Sequence, residues 1–338
     1  MAELNQNHRE LGLEDRDVLR MYRLMALART LSGKAWLLNR QGKVFFTMPC
    51  DGQEAADVGS AYALRAGIDL LLPYARDLGA ILTLGMTSRE VMLNLLARAE
   101  DPNGGGRQMP MHWGCKRLAI VSMGGTVGIT IPKAVGVGLA SKLRSEDAVT
   151  LVYFGDGATS QGYFHEGLNF AGVLQVPVVF FCNNNGWAAS VPFSKQTGGP
   201  DTARRAESYG FPGVLVDGTN VLEVYQATRQ AVDRARRGGG PTLIEARSLR
   251  LMPHSSADDH LLYRTQEELD ADRQLDPLPK FRDYLMERGL WRESDDLALW
   301  SELEEETEAA IREAEAAPWP NPASAWDRVY APDPSEGS

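Results

Sequence analysis

Two short motifs hold the residue types best suited to chemistry. Gly155-Asp156-Gly157 and Asn183-Asn184-Asn185-Gly186 each follow an apolar, β-rich run, AVTLVYF (148–154) and VPVVFFC (176–182). The lack of alternation in these runs suits strands covered on both faces. Between them, Ser160 to Leu174 can form a crossover helix. In a right-handed βαβ unit both strand ends point to one sheet edge, so Asp156 and Asn185 converge there. A carboxylate and an amide oxygen are hard donors, suited to Mg²⁺ that keeps water and diphosphate oxygens in its other positions. Gly155 and Gly157 let backbone approach phosphates closely. Ala158 and Thr159 open the helix, so its free N–H groups and dipole face the anion. Each motif alone reads as an ordinary turn. Together, each after a strand, they read as a metal and phosphate site.

The elements that must position these residues follow from periodicity. Asp15 to Asn39 carries apolar residues at helical spacing and predicts one long amphipathic arm. Gly213 to Val216 and Pro241 to Ser248 read as further strands. Between them Val221, Val224, Thr228, Ala231 and Ala235 keep a helical period that Gly238-Gly239-Gly240-Pro241 stops. The basic run Arg234 to Arg237 then sits at a helix end, where it suits the dipole. A repeating βα layout predicts an α/β fold, a doubly wound parallel sheet flanked by helices. His254 to Arg264 reads as a loop, the chain after Pro279 as helical, and Leu299 to Ala317 as a charged amphipathic helix. Residues 1–15 are expected to be loosely ordered and 318–338 to form an extended tail. The implied divisions are a helical arm (1–45), an α/β domain (46–265) with an active-site loop at 253–264, and C-terminal helices with the tail (266–338).

Composition excludes several classes. Of the 338 residues 43% are hydrophobic, enough for a sizeable core. The 35 Lys and Arg against 45 Asp and Glu give a net charge of −10, which disfavours a nucleic-acid surface. Met1 to Arg16 is polar and charged, unlike a signal peptide. No apolar run approaches the roughly 20 residues that span a bilayer. Cys50, Cys115 and Cys182 show no paired spacing and read as reduced thiols of a cytoplasmic protein. Gly136-Val137-Gly138 lacks the third glycine and the preceding strand of a dinucleotide fingerprint, and reads as close helix packing.

The stretch GDGATSQGYFHEGLNFAGVLQVPVVFFCNNNGWAAS (155–190) resembles the thiamine-diphosphate signature of the alpha subunits of 2-oxo acid dehydrogenases. The resemblance continues through DGQEAADVGSAYAL (51–64), GRQMPMHWG (106–114), IPKAVG (131–136) and PHSSADD (253–259). It implies thiamine diphosphate and Mg²⁺ as cofactors. Asp156, Asn185 and the main-chain carbonyl of Trp187 correspond to the metal ligands. Trp187 stands where the family commonly has tyrosine, a change that spares a main-chain ligand. Arg76 matches the diphosphate-binding arginine. Ala75 replaces a usual tyrosine, and Tyr74 one place earlier is its candidate substitute. Gly125 and Val127 fall where the family grips the aminopyrimidine. Gly155, Gly157, Ala158 and Asn183 complete the implied cofactor contacts.

Of five histidines, His8 reads as idle in a polar terminus, His165 as packed or surface, and His112 as near the site. His254 matches the family's catalytic histidine, linked to passing the acyl unit to a lipoyl group. Arg250 matches an arginine that orders the loop. Ser255 matches a serine that animal kinases phosphorylate; on its own it reads as an ordinary loop hydroxyl. The resemblance implies oxidative decarboxylation of a branched-chain 2-oxo acid, with a pyruvate or acetoin enzyme and a non-catalytic scaffold as rivals. Gly125-Thr126-Val127-Gly128 leans toward the pyruvate pattern, while GRQMPMHWG and PHSSADD lean toward the branched-chain one. No second cofactor-binding half is visible. The implied assembly is therefore an α2β2 heterotetramer whose beta subunit supplies the activating glutamate, working with a lipoyl-bearing acyltransferase.

Overall fold

The apolar runs at 148–154 and 176–182 become the middle of a parallel sheet. A computed structural model describes residues 6–327. The chain opens with α1 (Asp15–Arg40) and α2 (Glu54–Tyr62), followed by β1 (Leu70–Leu72), α3 (Leu78–Thr83) and α4 (Ser88–Leu95). Next come α5 (Thr130–Leu143), β2 (Thr150–Gly155), α6 (Gly162–Leu174) and β3 (Val178–Asn184). A small hairpin, β4 (Trp187–Ala188) and β5 (Val191–Pro192), precedes β6 (Gly213–Asp217), α7 (Val221–Arg236) and β7 (Thr242–Arg247). The chain closes with α8 (Gln266–Arg273), α9 (Pro277–Glu287) and α10 (Glu293–Ala316). Among the described residues, no helix is long and apolar enough to cross a membrane.

The five-stranded sheet runs β1-β2-β3-β7-β6, and every pairing in it is parallel. Strand residues alternate between two cores, as the pleat requires. Leu151, Tyr153, Val179 and Phe181 join residues of α1, α2 and α7. Val152, Phe154, Phe180 and Cys182 join residues of α5 and α6. Helices therefore cover both faces, as a doubly wound sheet requires. Gly138 is where α5 meets β3: a Cβ there would lie 2.6 Å from Val178 Cγ2. That is the close helix packing expected of this glycine. Asn220 caps α7 by accepting from Leu222 N and Glu223 N at 3.1 and 3.2 Å.

Several expectations need correction. Residues 6–15 are held in place rather than loose. His8–Leu11 forms a 3₁₀ turn, and the His8 imidazole is buried between Tyr284 Oη at 2.8 Å and Asp15 Oδ1 at 2.9 Å. His8 is thus an anchor, because a buried ring with a polar partner at each nitrogen fixes the chain around it. Residues 1–5 lie outside the described residues. The supposed tail is also partly folded. Pro322–Trp326 forms a 3₁₀ turn, and Arg107 donates to Ser324 O and Oγ at 3.1 and 3.0 Å. Its remainder, 328–338, lies outside the described residues. Finally, Ala158 and Thr159 do not open α6. Asp156–Ser160 is a 3₁₀ turn, and Gln161 is extended, so the α-helix starts at Gly162.

Candidate active site at the carboxyl ends of the strands

The register pairs Gly155 of β2 with Asn183 of β3. Asp156 and the Asn184–Asn185 turn therefore emerge side by side at one edge. Asp156 is buried, and its Oδ2 accepts from Gln196 Nε2 at 2.7 Å. Burial pushes its carboxyl above the usual range, against the Gln196 bond and the positive Arg250 and Arg76. Asn183 and Asn184 serve the frame. Asn183 donates to Asp57 Oδ1 at 3.1 Å and accepts from Ser248 Oγ. Asn184 donates to Glu245 Oε1 at 2.7 Å and accepts from Gly186 N at 2.9 Å. That second bond closes a turn which Gly186 completes at φ +83°. Only Asn185 keeps its amide at the edge, accepting from Trp187 N at 3.2 Å. With both ends of its amide engaged in the core, Asn183 supports the site from below and is a poor candidate for direct cofactor contact.

The β4–β5 hairpin folds back over the Asp156 turn. A Cβ on Gly157 would lie 2.8 Å from Ala188 Cβ, so glycine is what the hairpin tolerates there. A Cβ on Gly155 would meet nothing within 4 Å, so a ligand can come close to that backbone. Ala158 is buried beneath the turn. The Trp187 carbonyl accepts from Arg250 Nη1 at 3.4 Å.

Two arginines dominate the electrostatics. Arg76 is 2% exposed and Arg250 1%. Neither has a carboxylate partner among the described residues, and the Nε of each lacks any partner. Arg76 donates to Pro49 O at 2.8 Å and to His254 O at 3.0 Å, and faces His254 Nδ1 at 3.1 Å. Arg250 donates to Ala189 O and Tyr263 Oη, each at 2.8 Å. Burial lowers the Arg250 pKa to about 10, and the neighbouring Arg76 and Arg264 add to the effect. Buried guanidiniums need counter-charge. Arg264 finds it in Asp272 at 2.5 Å. For Arg76 and Arg250 the fitting partner is an external anion, and a diphosphate suits both in charge and in acceptor geometry.

The loop at 253–264 is pinned at both ends. Asp258 Oδ2 accepts from His254 N at 2.7 Å and from Tyr263 Oη at 2.5 Å. Burial first, then Arg76 and Arg250, lower the His254 pKa to about 4 against the pull of Asp258. Ser255 is buried and receives Ala257 N at 3.3 Å, the geometry of an ordinary loop hydroxyl.

Tyr74 Oη donates to Gln53 Oε1 at 3.2 Å, and burial pushes its phenol up. The Ala75 carbonyl accepts from Trp113 Nε1 at 3.2 Å. Gly125 and Val127 sit on an exposed loop, Val127 at 59%. A Cβ on Gly125 would lie 3.4 Å from His112 Nε2, which puts His112 beside that loop. His165 lies away on α6, its Nδ1 2.6 Å from Tyr209 Oη. Among the described residues no group of three His, Cys, Asp or Glu could hold a metal. The oxygens at this edge that could hold one are instead the Asp156 carboxylate, the Asn185 amide and the Trp187 carbonyl. Sequence reasoning missed Gln196, which carries no motif and reaches Asp156 only through the fold. It also missed Gln53 and Asp57, which lie inside a motif whose local pattern says nothing of a site beneath.

Residues 22–323 match the model of the dehydrogenase E1 component. This chain belongs to that family. As an E1 component it depends on thiamine diphosphate and works within a complex. It is 48% identical to the 2-oxoisovalerate dehydrogenase subunit alpha of Bacillus subtilis (strain 168), over 96% of this chain and 98% of the relative. It is 44% identical to the 3-methyl-2-oxobutanoate dehydrogenase subunit alpha of Mycobacterium tuberculosis, over 84% of this chain and 74% of the relative. The mitochondrial 2-oxoisovalerate dehydrogenase subunit alpha of Homo sapiens is 37% identical over 94% of this E1 chain and 72% of its own length.

Proposed function

We propose that this E1 chain is the alpha subunit of a branched-chain 2-oxo acid dehydrogenase. The reaction is oxidative decarboxylation of acids of the 2-oxoisovalerate class with reductive acylation of a lipoyl group. The likeness to the Bacillus subunit, which spans nearly the whole of both chains, carries this reading. Thiamine diphosphate, when bound, supplies the nucleophilic carbon and the electron sink for decarboxylation. Asp156, the Asn185 amide oxygen and the Trp187 carbonyl would hold Mg²⁺, with Gln196 and Arg250 yielding their hydrogen bonds to the ion. Arg76 and Arg250 would neutralise the diphosphate. Gly125 and Val127 would grip the aminopyrimidine, and Tyr74 would stand in for the tyrosine absent at Ala75. His254 would donate a proton or hydrogen bond to charge developing during acyl transfer.

The assembly in this reading is α2β2. The beta subunit supplies the glutamate that activates the cofactor, and a lipoyl-bearing acyltransferase takes the acyl unit. The exposure of Val127 beside the site supports a partner covering that end. A cytoplasmic location belongs to the same reading, supported by the bacterial sources of two of these relatives. The test is co-expression with a candidate beta subunit and a dye-linked assay. The chain alone should be inactive. The pair should prefer 2-oxoisovalerate over pyruvate by about ten- to two-hundredfold, as apolar pockets discriminate in graded steps. Full activity of the lone chain, or a clear preference for pyruvate, would overturn the assignment.

A further inference from the structure

Beneath the candidate site lie two acids that the cofactor reading does not use. Asp57 of α2 and Asp77, which precedes α3, are both fully buried. Neither forms an ion pair among the described residues. Asp57 Oδ1 accepts from Asn183 Nδ2 at 3.1 Å, and Asp77 Oδ2 accepts from Tyr74 N at 2.6 Å. Asp77 Oδ1 has no hydrogen-bond partner, and Asp57 Oδ2 has none of good geometry, the Gly79 N–H exerting only a weak pull on that carboxylate. Gly79 lets the two segments touch: a Cβ there would lie 2.9 Å from Asp57 Cβ and 3.5 Å from Oδ2.

The charged and titratable groups facing the pair are Cys50, Glu54, Tyr74, Arg76 and Tyr153. Arg76 is the only cation among them. Two neighbouring carboxylates in such a dry space cannot both stay ionised, whereas a single proton held by the pair relieves their repulsion. Burial pushes both acids well up. At Asp57 the neighbouring Asp77 and Glu54 add to this, against the pull of the Gly79 N–H and Arg76.

We propose that Asp57 and Asp77 share a single proton and act as a positioning pair, joining the Tyr74–Arg76 turn to the end of β3. The pair then sets the spacing between Arg76, on the diphosphate side, and the metal donors beyond Asn183. This role rests on the cofactor reading of the site. The shared proton does not.

Infrared spectroscopy of the full chain with ¹³C-labelled aspartate tests the proton. Wild type minus Asp57→Asn should show one protonated carboxyl band at neutral pH, and so should wild type minus Asp77→Asn. Absence of that band overturns the pair. Calorimetry of the chain paired with its beta subunit, with thiamine diphosphate and Mg²⁺, tests the positioning. Asp57→Asn can accept from Asn183 and donate to Asp77, so its affinity should stay within about twofold of wild type. Asp57→Leu should lose about tenfold or more, comparable to losing a supporting contact of a metal site. Wild-type affinity should fall at alkaline pH as the pair loses its proton, and Asp57→Asn should not follow. Equal affinity of Asp57→Leu and wild type overturns positioning. Identical pH profiles of Asp57→Asn and wild type do the same, even where the Leu variant fails to fold. Failure of wild type to bind thiamine diphosphate would sink the cofactor reading and the positioning role, while the infrared band would still decide the proton.

Discussion

Arg76 Nη2 meets His254 twice, at Nδ1 (3.1 Å) and at the carbonyl oxygen (3.0 Å). A guanidinium can only donate. Nδ1 must therefore be the bare, accepting nitrogen, and the proton of the neutral ring lies on Nε2. One side chain thus fixes the tautomer of the candidate catalytic histidine and, in the proposed reading, would also supply a counter-charge for the diphosphate.

His254 should titrate near the value of about 4 that its surroundings impose. That lies below the unfolded value of about 6.5. The folded state thus resists protonation between these two values. Its stability contribution is complete above about pH 6.5 and is lost as pH falls toward 4. His254→Gln should flatten the stability profile in that window. Thiamine diphosphate should raise the pKa, since it neutralises Arg76 and Arg250. NMR of the labelled imidazole checks both points. A titration near 6.5 that ignores the cofactor would count against the Arg76 contact.

Asp156→Ala should reduce Mg²⁺-dependent thiamine diphosphate affinity by about a hundredfold or more, because a site with two side-chain donors tolerates little loss. Gln196→Ala, which removes only a hydrogen bond to Asp156, should cost about tenfold at most. Calorimetry separates the two. Unchanged affinity in the Asp156 variant would show that the metal sits elsewhere.

His254→Ala should fold and bind cofactor. In complex with its beta subunit it should lose about 10²- to 10⁴-fold in lipoyl-dependent turnover, the range for a positioned proton donor. Dye-linked decarboxylation should fall less. Equal losses in both assays would argue for a role in decarboxylation instead of acyl transfer.

Gly157→Ala drives a methyl into Ala188 at 2.8 Å. The hairpin must shift, carrying the Trp187 carbonyl with it. Stability should drop by about 1–3 kcal/mol, the usual cost of overpacking, and Mg²⁺ affinity should weaken in parallel. Denaturant unfolding and calorimetry measure the two effects. A variant that is destabilised but keeps full Mg²⁺ affinity would remove Trp187 from the donor set.

The strands β2, β3, β6 and β7 were legible because each is an apolar run bounded by glycine, proline or asparagine. Their ends delivered Asp156 and Asn185 to one edge as the βαβ rule required. β1 was missed, since three leucines carry no period and gain strand character only by pairing with β2. The sequence pattern opens α6 before Gly162 because nothing local marks Gln161 as extended. Asn183 and Asn185 share one motif, which gives them the same role on sequence alone. Their opposite orientations depend on Asp57 and Ser248, far away in sequence. His8 failed for the same reason: its partner Tyr284 lies at the other end of the chain.

In the proposed reading, the two unpaired guanidiniums would also tie this chain's survival to the supply of its cofactor. Arg76 lowers the Arg250 pKa across a dry interior with no carboxylate paired to either, and the proposed diphosphate would relieve both. Any ligand that prefers the folded state stabilises it by mass action. Cells rich in the vitamin precursor would therefore hold a longer-lived protein, and starved cells one that opens more often to proteases. Turnover of the polypeptide would then follow vitamin supply without a dedicated sensor.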